Sequence, residues 1–255
     1  MSYYHDSHCH LTQFKEVKNV IKDAIDKSVR KVVVVSMFKE ENKKVLELYH
    51  QFPDVILPAL GIHPITINSN SDIENLFGTV IKLIEQNLSI IKIIGEIGLD
   101  RYYTKDPNIW EKQKSIFNKF LSFSEKHKLG VTVHGKNAES EIMEILETYK
   151  ISPIIIHWYS ANEKLIKKGI DNGFFYSINF SVKYSKNVRN LVKLTPINRL
   201  LTESDGPVNY KKLNIIGRPS LIPTIIKDIV EIKNLQKDFV IENLQRNFEK
   251  IILKK

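Results

Sequence analysis

Short apolar runs alternate with amphipathic segments along almost the whole sequence, and this alternation constrains the fold more than any other feature. The runs are rich in Val and Ile, as is typical of strands that are covered on both faces. They predict eight strands, at Tyr3 to Cys9, Lys31 to Met37, Val55 to Leu60, Ile90 to Ile97, Val131 to His134, Ile154 to His157, Phe174 to Asn179 and Arg199 to Glu203. The amphipathic segments have helical spacing. They predict helices at Val17 to Ser28, Glu40 to His50, Ile73 to Asn87, Ile109 to Lys128, Glu139 to Tyr149, Asn162 to Asn172 and Ser185 to Leu194, and two more within Leu221 to Leu253.

Strands that alternate with helices indicate βαβ units and a parallel sheet. Eight such units in 255 residues match the size of a closed (β/α)₈ barrel. We therefore predict an α/β protein with one TIM-barrel domain over residues 1–255. An open, doubly wound sheet is the alternative, but it places its sites at one switch point of the sheet. Here polar residues follow nearly every predicted strand, which favours the barrel.

The composition excludes several classes of protein. With 42% hydrophobic and 26% charged residues, the chain is neither a disordered nor a fibrous protein. The single cysteine, Cys9, excludes an internal disulfide framework and a cysteine-based zinc site, and it fits a reducing compartment. The N-terminal segment does not have the layout of a secretory signal, and no apolar run is long enough to cross a bilayer. We expect a cytoplasmic, monomeric protein that does not contact membranes.

The basic charge of the chain suggests an anionic partner but does not identify it. The sequence has 38 Lys and Arg residues against 29 Asp and Glu residues, a formal net charge of +9. Such a charge fits nucleic acid, a phosphorylated metabolite or simply a lysine-rich surface. The loops after the seventh and eighth strands of a barrel often bind phosphate. Lys183, Lys186 and Arg218 lie in these two loops, so we predict that they contact substrate phosphates.

Histidines and acids stand at the ends of most predicted strands. The histidines are His8, His10, His63, His134 and His157, and the acids are Glu96 and Asp205. The carboxyl ends of all strands meet at one mouth of a barrel, so these side chains should converge. Strand alternation should also project Asp6 to the same face as His8 and His10. Buried imidazoles and charges cost free energy unless a partner compensates them, and a metal ion would do so. The pattern therefore predicts a metal centre at the mouth.

The same residues lie in motifs that resemble the TatD family of metal-dependent deoxyribonucleases, which belongs to the amidohydrolase-like barrel superfamily. The motifs span nearly the whole chain and occur in the family's order. They are DSHCH at Asp6 to His10, GIHP at Gly61 to Pro64, GEIGLDRYY at Gly95 to Tyr103, VHGKNA at Val133 to Ala138, HWYSA at His157 to Ala161 and LLTESDGP at Leu200 to Pro207.

The resemblance implies a site with two divalent metal ions, which could be Mg²⁺, Mn²⁺ or Zn²⁺. The first ion would be bound by His8, His10, Glu96 and Asp205, and the second by Glu96, His134 and His157, with Glu96 as the bridge. Two ions about 3.5–4 Å apart can stabilise both the attacking and the leaving oxygen of a phosphodiester displacement. The resemblance further implies that Asp205 orients or deprotonates the attacking water and that His63 stabilises the transition state at the phosphate.

Two blocks depart from the family pattern. Lys136 stands where the family commonly has arginine, so the charge is kept but the bidentate fork is lost; we count it as a fourth predicted phosphate contact. Trp158 lies in a block that often reads HCFSG in the family, and its ring would reshape the substrate wall.

Tyr102 and Tyr103 either pack under the mouth or stack on a base. For Asp100 and Arg101 we expect a structural salt bridge.

The implied function is a deoxyribonuclease that acts by a two-metal mechanism on single-stranded DNA or strand ends. The 3′–5′ exonuclease polarity comes from the resemblance alone. A second interpretation is a hydrolase of a carboxylic ester, lactone or amide on the same barrel, since a fold does not fix a function. A third is a non-catalytic nucleic-acid-binding protein, which the complete set of expected ligands disfavours.

Overall fold

Eight parallel strands pair in sequence order and form a nearly closed (β/α)₈ barrel in the computed structural model, which describes residues 3–69 and 72–253. The strands are β1 (Tyr4–Cys9), β2 (Val29–Val35), β3 (Ile56–Leu60), β4 (Ile93–Asp100), β5 (Gly130–Lys136), β6 (Ile154–His157), β7 (Phe175–Ile178) and β8 (Leu200–Thr202). The predicted fold is thereby confirmed. The first and last two residues of the predicted domain lie outside the described residues.

Helices surround the strands and follow the predicted order. They are α1 (Val17–Asp26), α2 (Lys39–Gln51), α3 (Pro64–Ser69), α4 (Ile73–Gln86), α5 (Pro107–His127), α6 (Glu139–Leu146), α7 (Glu163–Asp171), α8 (Lys186–Leu194), α9 (Ile222–Lys233) and α10 (Lys237–Phe248). Two elements were not predicted: helix α3, and a small hairpin of β9 (Asn209–Tyr210) and β10 (Ile215–Ile216) that follows β8. No helix in the described ranges is both long and apolar enough to cross a membrane.

The barrel closes where β1 lies beside β8. The Ser7 hydroxyl donates to the carbonyl of Thr202 at 3.0 Å, and the Thr202 hydroxyl donates to the carbonyl of His5 at 2.9 Å. Two backbone hydrogen bonds continue this seam toward the mouth, from Asp205 N–H to the His8 carbonyl and from His10 N–H to the carbonyl of Gly206. The seam therefore brings together segments that are nearly 200 residues apart in sequence.

The amino ends of the strands are closed by apolar side chains. Phe248, at the end of α10, and Ile252 pack against Leu201 and other buried residues of the strands. The His5 ring stacks on Phe248, with 4.2 Å between the ring centroids. We refer to His5, Leu201, Phe248 and Ile252 as the barrel floor. Because the floor is filled, substrates can approach only from the opposite end, the mouth.

Two irregularities in the sheet place side chains of the mouth. β4 continues to Asp100, three residues beyond its predicted end, and pairs with β5 as far as Lys136. The pairing requires Gly98, whose φ is +147° and where a Cβ would collide with the carbonyl oxygen of His134. In β1 the register shifts between Asp6 and Cys9, so the strand contains a bulge.

Candidate metal centre

Glu96 lies at the centre of the mouth and is surrounded by the predicted histidines. Its Oε1 lies 2.7 Å from Nε2 of His157 and 3.0 Å from Nδ1 of His134. Its Oε2 lies 3.4 Å from Nε2 of His8 and 3.3 Å from Nε2 of His10. The two oxygens of one carboxylate thus face two different pairs of imidazoles.

Asp205 joins the His8 and His10 side of the cluster. Its Oδ1 lies 3.8 Å from Nε2 of His8 and 3.5 Å from Nε2 of His10. The residue has a φ of +48°, a left-handed conformation that Asp tolerates better than most residues. The turn lies three residues after the end of β8 and directs the chain back across the mouth, so that Asp205 reaches the histidines of β1.

Two side chains behind the cluster, Thr132 and Asp100, orient the imidazoles of His8 and His134. The Thr132 hydroxyl lies 3.3 Å from Nδ1 of His8, which leaves Nε2 facing the cluster. Asp100 accepts a hydrogen bond from Nε2 of His134 at 3.0 Å, which leaves Nδ1 facing Glu96. Such partners fix the tautomer and direction of metal-binding histidines.

Glu203 supports the fourth histidine from a position that the sequence did not single out. Its Oε1 lies 3.6 Å from Nδ1 of His157. The carboxylate is fully buried and accepts hydrogen bonds from the Ser177 hydroxyl, the Asn179 amide and the N–H of Trp158. Glu203 is the first of the two acids in the TESD segment. Its position two residues before Asp205 was the one sequence signal that could have identified it.

His63 is near Glu96 but is oriented differently from the other histidines. Its Nδ1 accepts a hydrogen bond from the N–H of Ile65 at 3.1 Å, and its Nε2 lies 3.6 Å from Oε1 of Glu96. Burial lowers the pKa of His63 well below its usual value, so the ring is neutral. In that tautomer Nε2 carries the hydrogen and can donate a hydrogen bond but cannot bind a cation. This orientation fits the predicted contact with substrate rather than with metal.

The cluster has the electrostatics of a cation site. Burial alone would raise the pKa of Glu96, but the histidines that face it, His157 first among them, hold that pKa well below its usual value. Burial likewise opposes the charged form of His10, yet the nearby carboxylates of Asp205 and Glu96 raise its pKa to about 10. The pKa of His157 is also raised, because the charges of Glu96 and Glu203 outweigh its burial. The mouth therefore stabilises positive charge where burial alone would exclude it.

The donor atoms present fit divalent metal ions. Nε2 of His8 and Nε2 of His10 point at each other across 3.3 Å, and the buried Oε2 of Glu96 has no hydrogen-bond partner. A cation between these atoms would satisfy all three. Among the described residues, three overlapping groups have ligand atoms within 4.8 Å of one another: His8, Glu96 and His157; His8, His10 and Asp205; His63, Glu96 and His134. All six predicted ligands occur in these groups.

A cavity of about 460 Å³ opens above the cluster and shows which predicted phosphate contacts can reach it. Lys136 lines the cavity. Lys183 and Arg218 do not, because Nζ of Lys183 lies 2.9 Å from Asp228 on α9 and Arg218 faces Asp23 on α1. Lys186 is exposed at the start of α8 and is not part of the wall either.

Two expectations for the residues around the site are wrong. Asp100 does not pair with Arg101: Asp100 faces His134, whereas Arg101 stacks on Trp110 and lies 3.7 Å from Glu141. The extension of β4 causes this difference, since it turns Asp100 toward the neighbouring β5.

Asp6 does not share a face with His8 and His10. Because of the bulge in β1, Asp6 and Cys9 pair with Val32 and Val34, which lie on one face of β2. The Asp6 carboxylate instead accepts the N–H groups of His8 and Ser204 and so holds the two sides of the seam together. Burial raises the pKa of Asp6 to about 7.

Comparisons with known proteins agree with this geometry. The family model described as TatD related DNase matches residues 5–253. Human deoxyribonuclease TATDN3 is 24% identical over 98% of this chain and 94% of its own length. A protein of Methanocaldococcus jannaschii described as the uncharacterized metal-dependent hydrolase MJ1582 is 29% identical over 97% of both chains. The crystal structure of YJJV, a TatD homolog from Escherichia coli, superposes with a TM-score of 0.88 at 20% identity, covering 99% of this chain and 98% of that one.

Proposed function

Because this chain belongs to the TatD-related DNase family of metal-dependent hydrolases, we propose that it hydrolyses DNA phosphodiester bonds with two metal ions in the mouth of its barrel. We propose that its substrate is single-stranded DNA or a strand end, cut in the 3′–5′ direction, and that the whole chain acts as one domain. The polarity rests on the family resemblance, whereas the number of metal ions rests on the site itself.

The observation that carries the two-metal proposal is the position of Glu96. Each of its carboxylate oxygens faces its own pair of histidines, at 2.7–3.0 Å for His157 and His134 and at 3.3–3.4 Å for His10 and His8. A single ion would use one of these pairs and leave the other buried without a partner. His8, His10, Glu96 and Asp205 would hold one ion, and Glu96, His134 and His157 the other.

The bound ions would neutralise the phosphate oxygens and lower the pKa of a coordinated water. The residues of the chain do the rest. Asp205 lies at the edge of the cluster and lines the cavity, where its carboxylate can orient the attacking water and take its proton. His63 donates a hydrogen bond from Nε2 to a phosphate oxygen on which charge develops. Lys136 contacts a phosphate next to the cleaved bond.

One observation favours hydrolysis of a carboxylic ester, lactone or amide instead. Among the described residues that line the cavity, Lys136 is the one lysine or arginine, and the apolar side chains of Met37, Ile65 and Val208 lie in the same wall. A phosphodiester substrate with several phosphates would be expected to meet more positive charge. The same metal cluster could polarise a carbonyl, so this activity is our second candidate.

A substrate panel separates the two candidates. Metal content would be measured first, and labelled single- and double-stranded DNA, RNA, a simple phosphodiester and a lactone would then be assayed with Mg²⁺, Mn²⁺ and Zn²⁺. We expect metal-dependent cleavage of DNA that Glu96→Ala and Asp205→Asn abolish. Asp228→Asn, which removes a buried carboxylate outside the cavity, is the control. If both site variants cut DNA as fast as the wild type, the proposed site is wrong; lactone hydrolysis without DNA cleavage would establish the second candidate.

A further inference from the structure

Three consecutive strands present an aromatic ring, a cation and a second aromatic ring to the cavity. Tyr103 follows β4, Lys136 ends β5 and Trp158 follows β6, and all three line the same cavity above the metal cluster. The Tyr103 side chain is 57% exposed, although an exposed aromatic ring loses contacts that it could make in a core. Neither ring has a part in the proposed metal binding.

The Trp158 ring is held in place from behind. Its backbone N–H donates to Oε1 of Glu203 at 3.1 Å, and its φ of +40° fixes a sharp turn directly after His157. The ring lies against the buried Tyr210, with 5.7 Å between centroids, and the Tyr210 hydroxyl donates to the carbonyl of Ser204. A β-branched or flexible side chain would not give such a flat, fixed surface.

Tyr103 is fixed by a second carboxylate of the site. Its backbone N–H donates to Oδ1 of Asp100 at 2.8 Å, while Oδ2 of the same carboxylate accepts from His134. The ring packs edge to face on Tyr102 at 4.7 Å. Nζ of Lys136 lies 5.5 Å from the centre of the Tyr103 ring and 4.6 Å from that of Tyr102.

We propose that Tyr103 and Trp158 form a stacking site for one unpaired nucleobase of the strand whose phosphate lies at the metal centre. The inference rests on the proposed function and identifies the substrate as a nucleotide with an accessible base face. Bases within a duplex already stack on their neighbours, so only a single-stranded or frayed nucleotide can offer its face to an aromatic ring. Lys136 ends β5, the strand between those that precede the two rings, and lines the same cavity, where it is placed for the phosphate of that nucleotide.

The connection of both rings to the metal ligands explains how stacking would position the cleaved bond. Asp100 contacts both Tyr103 and His134, and Glu203 contacts both Trp158 and His157. The distance from stacked base to metal centre is therefore set on the Tyr103 side by hydrogen bonds through Asp100, and on the Trp158 side by the hydrogen bond from Trp158 to Glu203 and the 3.6 Å contact between Glu203 and His157. Every base has a π face, so the site selects for an unpaired base without selecting a particular sequence.

Substrates that differ only in one base test the proposal. A short single-stranded oligonucleotide would be compared with versions in which each nucleotide next to the cleaved bond in turn lacks its base. For the wild type we expect kcat/KM to fall by about 5- to 150-fold for one of these abasic substrates, the range associated with stacking a single base. Trp158→Ala and Tyr103→Ala should cut the intact strand more slowly and show little further loss on the abasic one.

Tyr102→Ala is the matched control. Tyr102 is 50% exposed and adjacent in sequence, but it does not line the cavity. Its removal can alter Lys136, which would change both substrates equally and leave their ratio as in the wild type. Trp158→Phe and Tyr103→Phe retain a ring and should keep most of the ratio, which separates lost stacking from lost folding.

Binding can be measured independently of cleavage. The chain has two tryptophans, Trp110 and Trp158, so Trp110→Phe leaves Trp158 as the reporter. In EDTA, an intact oligonucleotide should quench its fluorescence more strongly than the abasic strand does. Equal quenching and equal cleavage of both strands would overturn the stacking site but leave the nuclease in place. If neither strand is cut with any metal, the proposed function itself fails, whereas quenching by the intact strand alone would still support the stacking site.

Discussion

The mouth and the floor of the barrel both contain buried histidines, but these have opposite properties. At the floor, the His5 ring is 6% exposed, stacks on Phe248 and has no hydrogen bond to either nitrogen. Burial lowers the pKa of His5 to about 4. At the mouth, carboxylates raise the pKa of the equally buried His10 to about 10. His5 also has a carboxylate nearby, since Oε1 of Glu249 lies 3.8 Å from its Nε2, but the Glu249 side chain is 42% exposed whereas Glu96 and Asp205 are buried. Burial of a histidine therefore says little about function; buried carboxylates around it distinguish a cation site from an apolar core.

The largest effect should come from the carboxylate at the centre of the mouth. Glu96→Gln keeps the size of the side chain but removes the charge that faces four histidines. We expect kcat/KM for DNA to fall by about 10³-fold, comparable with loss of a main stabiliser of transition-state charge, together with loss of bound metal. The floor counterpart, Phe248→Leu, should lower the melting temperature and leave kcat/KM unchanged. Equal metal content in wild type and Glu96→Gln would contradict the site.

His5 in the floor should affect the pH dependence of the free energy of unfolding rather than the activity. The pKa of His5 is about 4 in the folded chain and 6.5 when unperturbed, so between these values the unfolded chain binds more protons. Stability should therefore fall as pH decreases from 6.5 to 4, by about 2 kcal/mol at pH 5 from this residue alone. His5→Phe keeps the stacked ring and should remove this contribution. Urea unfolding of both proteins at pH 7 and pH 5 measures it, and identical pH dependence would show that His5 is not buried as described.

A smaller effect is expected one step away from the proposed ligands. Asp100→Asn removes the charge that accepts Nε2–H of His134, while its amide oxygen can still accept the N–H of Tyr103. Substitution of such partners typically lowers metal affinity or activity by about 10- to 100-fold. Metal titration by calorimetry would measure the change. Unchanged affinity would mean that His134 needs no support from Asp100.

The smallest effect is expected on the salt dependence of DNA binding, and it should distinguish Lys136 from the other predicted phosphate contacts. Lys136→Ala should reduce the slope of log affinity against log salt concentration by about 0.7 for single-stranded DNA, the value for one phosphate contact. Lys183→Ala should leave the slope unchanged because Lys183 pairs with Asp228. Binding at several salt concentrations in EDTA tests both. A larger change for Lys183 than for Lys136 would place the DNA on the other side of the mouth.

The convergence of the mouth residues was predictable because strand ends meet in any barrel of this kind, wherever each residue lies in sequence. The fold was predictable as well, because the alternation of apolar runs and amphipathic segments depends on the order of strands and helices and not on the geometry of single residues. The features that the sequence did not predict, the face of Asp6 and the end of β4, depend on the backbone geometry of single residues. The bulge in β1 places the Asp6 side chain on the other face of the strand from the His8 ring, and the close approach at Gly98 extends β4 to Asp100.

The charges on the surface were less predictable than those in the mouth. Lys183 and Arg218 were assigned to phosphate from their place in the loops, but their partners, Asp228 and Asp23, come from helices far away in sequence. Local sequence does not show which acid will be nearest to an exposed cation. Glu203 was overlooked for a related reason: its function depends on His157, 46 residues earlier, and on the turn at Trp158.

The seam between β1 and β8 has a consequence for the chain while it is being made. His8 and His10 belong to the first strand, whereas Asp205 follows the last and reaches them only through hydrogen bonds across the seam. During synthesis the amino-terminal part emerges first. A nascent chain therefore carries most of its proposed metal ligands long before it can assemble them. Hydrolytic activity would therefore begin only after the ring has closed.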